Sequence, residues 1–430
     1  MASNLSAGAD PEAKVEIQLT VIDDAVQSHF ATFFNVNQRV VATGDGIFVV
    51  YLKDTHDIES QPPSRNHWVL CRSVDDGRSF RQVFSLQANG DTTIVGKAPE
   101  IIADDSGNLF LVTCMNDQHV HVWRFNRDHW DTPVYHQKNR IGGFAPKFSV
   151  RLDAESQKLL VMTAAYFLSI DLETGLAAKS EKYQLLDEGE FAGPQYSFLD
   201  LTPDGELFAA WHTARKETSY YYDIHFAVSR RAEAYRIWRS PLNQRILGGA
   251  SGSIVCDNSG PAPMVNYSTE LSLDGTQTNG LNHMLYKGHA LHFIHGGRCA
   301  ADSYVQSRYT RISTSAPSEI HRITEPDWGG RTLQLDSSDG FFCTQDTRED
   351  TPLYVVSHRG QQLFAIRSVD NGNTWTDYAV SNTTSPGNNL YSVTGNFRLQ
   401  NDHIIGVYTE VHPQTPHRLI FFRIPTVPQL

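Results

Sequence analysis

Nine residues of this chain combine reactive chemistry with a place near the end of a short strand-like run. They are Asn37, Lys147, Tyr196, His212, Arg215, Tyr221, His283, Arg308 and Arg359. Imidazoles and phenols can transfer protons, and cations or amides can neutralise a carboxylate. His212, Tyr196 and His283 are therefore the catalytic candidates. Arg308, Arg359, Lys147, Arg215, Asn37 and Tyr221 are the substrate-binding ones. Carboxylates are sparse beside them, with Asp54, Asp117 and Glu410 the main examples. The whole chain is acidic, with 48 Asp and Glu against 36 Lys and Arg and a net charge of −12. A locally basic set on an acidic protein points to an anionic ligand, such as a uronate or another sugar acid.

Other reactive clusters have plainer readings. His283, His289, His292, His295 and Cys299 crowd one stretch. Strand alternation sends His292 to the face opposite His289 and His295, so no metal site is expected there. His119 and His121 in HVHVW share a face, read as an exposed strand face. Five cysteines, with no CxxC pair, read as buried free thiols rather than a disulfide framework.

The elements that must hold these residues are strands. Runs of β-branched and aromatic residues recur, bounded by Gly, Asp, Asn and Pro, and strong amphipathic helical periodicity is absent. A unit of strand, short turn and strand appears seven times: Gln38 to Leu52, Ala98 to Cys114, Lys147 to Thr163, Tyr196 to His212, Asn282 to His295, Gly340 to Ser357 and Thr394 to Glu410. Two words, RSVDDGRSF from Arg72 and RSVDNGNTW from Arg367, share the pattern S-x-D-x-G-x-[ST]-[FW]. In that pattern the Asp can accept backbone N–H groups across a turn, Gly takes a positive φ, and the ring packs on the sheet.

These features predict one all-β domain over residues 1–430, a seven-bladed β-propeller. Residues 1–14 read as a flexible lead and 249–280 as an insertion. The strand Val15 to Ile22 has no unit of its own and is expected to close the ring in the blade of Thr394 to Arg423. In such a fold the first strand of each blade lines the channel. The loop after the second strand opens at the same end as the start of the first, which gathers the nine residues at one mouth.

Composition limits the partners. Acidic charge argues against a nucleic-acid partner, and no apolar run reaches the length of a membrane span. MASNLSAGADPEAK is not a signal peptide. A cytoplasmic protein and a secreted one with its signal removed both stay open.

The paired turn words and the seven units resemble the BNR/Asp-box propellers among carbohydrate-active enzymes. That group includes sialidases, ulvan lyases and L-rhamnose-α-1,4-D-glucuronate lyases. Sialidases place an Arg-Ile-Pro early in the chain; here Arg423-Ile424-Pro425 stands at the end. The rim chemistry is closer to that of the lyases. The resemblance then implies β-elimination on an acidic oligosaccharide or polysaccharide, with release of a terminal rhamnose from glucuronate as the specific expectation. The alternatives are glycoside hydrolysis of rhamnosidase or sialidase type, and glycan binding without catalysis. No cofactor is required by this reading. Analogy with related propellers allows a structural calcium in the channel, although no calcium-loop motif is present.

Overall fold

Seven sheets, antiparallel apart from one short parallel strand pair, make up this computed structural model. It describes residues 15–427 apart from 34–36, 55–66, 88–97, 116–117, 142–146, 187–191, 216–220, 240–244, 248–263, 267–277, 299–304, 316–319, 325–339, 360, 383–387 and 415. Short β-rich segments separated by Gly and Asp turns cannot bury both faces alone. Stacking sheet on sheet around a ring lets each bury both.

The chain opens with β1 (Val15–Glu16) and β2 (Gln18–Val26). Blade 1 follows as β3 (Val40–Thr43), β4 (Gly46–Asp54), β5 (His67–Ser73) and β6 (Arg81–Gln87). Blade 2 is β7 (Glu100–Ala103), β8 (Leu109–Met115), β9 (His119–Phe125) and β10 (Tyr135–Arg140). Blade 3 is β11 (Phe148–Asp153), β12 (Lys158–Thr163), β13 (Tyr166–Asp171) and β14 (Lys182–Gln184). Blade 4 runs through β15 (Ala192–Leu201), β16 (Glu206–Arg215), β17 (Tyr221–Arg230), β18 (Trp238–Arg239) and β19 (Arg245–Leu247). It also gains β20 (Met264–Asn266), which pairs with β17. Blade 5 comprises β21 (Thr278–Lys287), β22 (Ala290–Arg298), β23 (Val305–Ser313) and β24 (Ile320–Thr324). Blade 6 holds β25 (Phe341–Thr344), β26 (Leu353–Arg359), β27 (Gln362–Ser368) and β28 (Thr376–Val380). Blade 7 holds β29 (Asn389–Gly395), β30 (His403–Val411) and β31 (His417–Pro425). The insertion read over 249–280 falls largely outside the described residues, but β20 joins blade 4 and residues 278–280 belong to β21.

Each of the seven units read from the sequence is the first hairpin of a blade. The first strands of successive blades pack on one another and form the inner ring. Closure differs in detail from the expectation. β2 pairs antiparallel with β31 and completes blade 7, while Val15–Glu16 crosses to blade 6 and pairs in parallel with β28. Ile17, 5 % exposed, turns into the blade 6 core between the two segments. The N-terminal segment thus ties two blades together. A further tie reaches blade 1, where the Asp23 carboxylate accepts Tyr51 Oη at 2.5 Å and pairs with Lys53 Nζ at 2.9 Å.

The two repeated words fold into the same turn, between the third and fourth strands of blades 1 and 6. Ser73 Oγ accepts Gly77 N and Asp75 Oδ1 accepts Ser79 N, at 2.8 and 2.9 Å. Ser368 Oγ accepts Gly372 N and Asp370 Oδ1 accepts Thr374 N, both at 2.8 Å. The glycine has a second reason besides its positive φ of 87°. A Cβ on Gly372 would meet the Tyr309 hydroxyl of blade 5 at 1.8 Å. The turn is thus a blade-to-blade contact, at the end of the ring away from the mouth.

Candidate active site at the mouth of the channel

Inner strands expose backbone N–H groups toward the neighbouring blade, and these need acceptors in a buried setting. Side chains of the preceding inner strand supply them. Glu100 Oε2 accepts Val150 N at 3.0 Å, Ser149 Oγ accepts Leu199 N at 3.1 Å, and Asp200 Oδ2 accepts Tyr286 N at 2.6 Å. His283 Nδ1 accepts Phe342 N at 3.4 Å; where the ring closes the direction reverses, and Gln38 Oε1, just before β3 of blade 1, accepts Phe397 N, just after β29 of blade 7, at 3.2 Å. Part of the reactive set seen in the sequence therefore holds the ring together.

Asn37 is one of these structural residues. It is fully buried, and its amide donates to Glu100 Oε2 at 2.7 Å and to the Phe148 carbonyl at 2.8 Å. Both donor hydrogens are used, which leaves no free N–H for substrate. Arg39 likewise spends its guanidinium inside the ring, donating to the carbonyls of Ala98 and Phe33 at 2.5 and 2.6 Å. Burial lowers its pKa to about 9. His283 stands among the rings of Phe397, Phe342 and Phe198 from blades 7, 6 and 4, at 4.4, 5.9 and 6.0 Å. Burial, then the nearby Arg151 and Arg398, hold it well below the usual imidazole range, so it is neutral. Arg359 is exposed at the end of β26. Arg308 lies on the third strand of blade 5, and Arg215 and Tyr221 lie on β16 and β17. The side chains of these last three are outside the described residues.

Three candidates do meet. Lys147, half-buried just before β11, sets its Nζ 3.8 Å from the centroid of the Tyr196 ring. The His212 ring lies 4.9 Å from that same ring on its strand partner. Tyr196 was expected to open its strand but is the fifth residue of β15. It sits at a bulge between Gln195 and Phe198 with φ of 49°. A tyrosine gains nothing in local energy from that conformation, so the surrounding packing must enforce it. Bulges re-aim side chains at the rims of closed sheets, and this one sets the phenol between an ammonium and an imidazole. Tyr196 is 5 % exposed and His212 is fully buried.

The tautomer of His212 is fixed by blade 5. Leu281 N can only donate, and it donates to His212 Nδ1 at 3.0 Å. The ring proton therefore resides on Nε2. Burial first, and the Lys147 charge second, push its pKa well below the ordinary imidazole value. His212 is thus a neutral donor at Nε2, whereas the sequence offered it as either acid or base.

A second reactive group, of which the sequence singled out only Glu410, occupies the mouth end of blade 7. The rings of His29, Phe30 and Phe33 gather around Tyr391, with Phe33 stacked on it at 6.1 Å and 10°. Beside them Glu410 accepts Asn388 Nδ2 at 2.6 Å and stands 3.5 Å from His412 Nε2. The spacing of Glu410, His412 and His417 was a usable signal, but the partner rings arrive from residues 29–33, nearly 400 positions away. His121, read as exposed, is also reassigned. It is 1 % exposed, stacked on His136 at 5.2 Å and bonded to it at 3.0 Å.

Glu100 provides a pH-linked check on the ring. Burial raises its pKa from 4.5 to about 7, against the opposing pull of Arg151, Asn37 and Arg39. The folded protein keeps this proton where the unfolded chain has lost it. Stability should therefore fall as pH rises from about 4.5 to about 7 and level off above. Glu100→Gln should remove that component. Melting midpoints of wild type and variant, followed across the window, should differ most in slope there; parallel curves would refute the assignment.

No protein-family model matches the sequence, and a comparison with curated proteins returns no relative. Solved structures with the same architecture are found. The polysaccharide lyase Uly1 is similar over 97 % of this chain and 93 % of its own, at 9 % identity and a TM-score of 0.56. The α-L-arabinanase of Penicillium chrysogenum, solved with arabinobiose, is similar over 96 % of this chain and 98 % of its own, at 10 % identity and a TM-score of 0.51. At these identities the likeness establishes a shared β-propeller fold.

Proposed function

We propose that this protein is a carbohydrate-active lyase that cleaves a uronate-containing glycan by β-elimination at the Lys147, Tyr196 and His212 cluster. The observation that carries the reading is the enforced backbone of Tyr196, which holds a phenol against a cation and a neutral imidazole donor. The fold is shared with a polysaccharide lyase and with an arabinanase, which agrees with a glycan substrate. Release of a terminal rhamnose from glucuronate is the specific form of the proposal.

Each residue has a task. Lys147 neutralises the uronate carboxylate, which lets charge from the C5–H bond spread onto the carboxyl group. His212 donates from Nε2 to the same developing charge. Tyr196 is assigned as the base, and in its phenolate form it removes the C5 proton. The electron pair forms the C4–C5 double bond, and the bond from C4 to the glycosidic oxygen breaks. Tyr196 returns its proton to that oxygen, so the residue ends as it began. No water enters the products.

An acidic glycan turned over by this route yields a 4,5-unsaturated uronate that absorbs in the near ultraviolet. Sugar release without that absorbance would mean hydrolysis, and neither would mean a binding protein. The cation can be tested separately. Lys147→Met should weaken binding of an acidic glycan about 10-fold (~1.4 kcal/mol) and leave its carboxyl-reduced form unaffected. Equal losses on the two ligands in calorimetry would remove Lys147 from this role.

A further inference from the structure

A cavity of about 300 Å³ opens at the outer edge between blades 2 and 3, at the low end of the range for small-molecule sites. Its rim carries Arg140, Lys179 and Lys182, and its floor includes Ile141, Phe167 and Leu168, with Tyr166 alongside. Arg140 ends β10, and Tyr166 starts β13 opposite Gln184 at the end of β14. Arg140, Tyr166 and Gln184 stand at the strand ends that face the channel mouth, while Lys182, opposite Leu168, and Lys179 before it lie further down the blade edge. Lys147 stands just before β11, the inner strand of the same blade 3.

Charge is what sets the cavity apart. None of the three cations makes an ion pair among the described residues, although the chain has a net charge of −12. Several exposed cations elsewhere are engaged, Arg127 with Asp45, Arg230 with Glu206, and Arg348 with Asp346, so the feature particular to this cavity is three unpaired cations gathered on one rim. An apolar floor with an aromatic ring, under three cations, matches a sugar acid. Such a ligand has an apolar C–H face and a carboxylate on one ring.

We propose that this cavity is a distal subsite that grips a further uronate residue of the glycan chain whose cleaved end lies at the mouth. The proposal rests on the functional reading above and extends it from a short acidic oligosaccharide to a polymer. The distal grip contributes affinity by linking two contacts on one chain, so it acts on long substrates and is silent on short ones.

The test uses polygalacturonate as the polymer probe, dextran as a neutral polymer and polyglutamate as a non-sugar polyanion. Wild type should bind polygalacturonate, more weakly as salt rises. The triple variant Arg140→Gln, Lys179→Gln, Lys182→Gln should bind it at least ~10-fold more weakly, with a shallower salt dependence. These side chains lie on the surface, and an unchanged melting midpoint would show that the variant folds. No binding by wild type, equal binding by the triple variant, or equal binding of dextran or polyglutamate by wild type would overturn the subsite. Tyr196→Phe should leave polymer binding intact. Loss of binding in the triple variant, with no elimination product from wild type on any acidic glycan, would sink the lyase reading and leave the subsite standing.

Discussion

Tyr196→Phe should reduce turnover by about 10²–10⁴-fold, the usual worth of a proton-transfer group, while leaving the fold intact. Only the hydroxyl is removed. The ring keeps its place beside Lys147 at 3.8 Å and His212 at 4.9 Å. The melting midpoint should consequently change little, since the ring still fills its site in the apolar cluster with Phe198 and Phe208. Tyr196→Gly is the companion variant. Glycine relieves the backbone at φ 49° but leaves a cavity in place of a buried aromatic ring, so it should lose both activity and roughly 3–5 kcal/mol of stability. Turnover within a few-fold of wild type in the Phe variant would exclude Tyr196 as the base.

Deletion of residues 1–26 should have the largest effect on stability. It removes β1 and β2 together, leaving β31 as an unpaired edge and stripping the parallel pair from β28. Ile17 and Val26, 5 % and 0 % exposed, alone represent about 4 kcal/mol at ~2 kcal/mol per buried aliphatic side chain. The tie from Asp23 to Tyr51 and Lys53 goes as well. An open propeller edge is also a template for aggregation. The expected outcome is insoluble protein, or a midpoint lowered by on the order of 10 °C. Asp23→Ala serves where the deletion cannot be purified, and should cost ~1–3 kcal/mol. A truncated protein that melts like wild type would contradict closure by the N-terminal segment.

The hairpins were legible because they are the most apolar part of each blade. β8 and β12 are runs of buried residues around short turns, and a sequence shows such runs directly. Outer strands such as β10, YHQKNR, and β14, KYQ, face solvent and carry too little apolar pattern to be seen. The break at Ile17 was hidden because Val15 to Ile22 alternates like one strand; only the core of blade 6 decides that the chain crosses there. His121 shows a related limit. Alternation tells which residues share a face, but whether that face is covered depends on a strand elsewhere, here β10 with His136.

The site was partly legible in the same sense. Lys147, Tyr196 and His212 could be placed near one mouth from strand ends alone. Their chemical states could not. The proton on His212 is set by Leu281, 69 residues away in the next blade. Asn37 is engaged by Glu100 and Phe148 at separations of 63 and 111 residues. The left-handed backbone of Tyr196 comes from a bulge; Gly193-Pro194 just upstream marks an irregular strand but not a positive φ at the tyrosine.

The elimination chemistry is most directly tested by the origin of oxygen in the products. Cleavage of an acidic glycan in water enriched in heavy oxygen, followed by mass spectrometry, distinguishes the two bond-breaking routes. Elimination at Tyr196 predicts a near-ultraviolet-absorbing unsaturated uronate with no heavy oxygen in either fragment at early times. A saturated product that has taken up the solvent oxygen at the cleaved bond would contradict the account and make the protein a hydrolase.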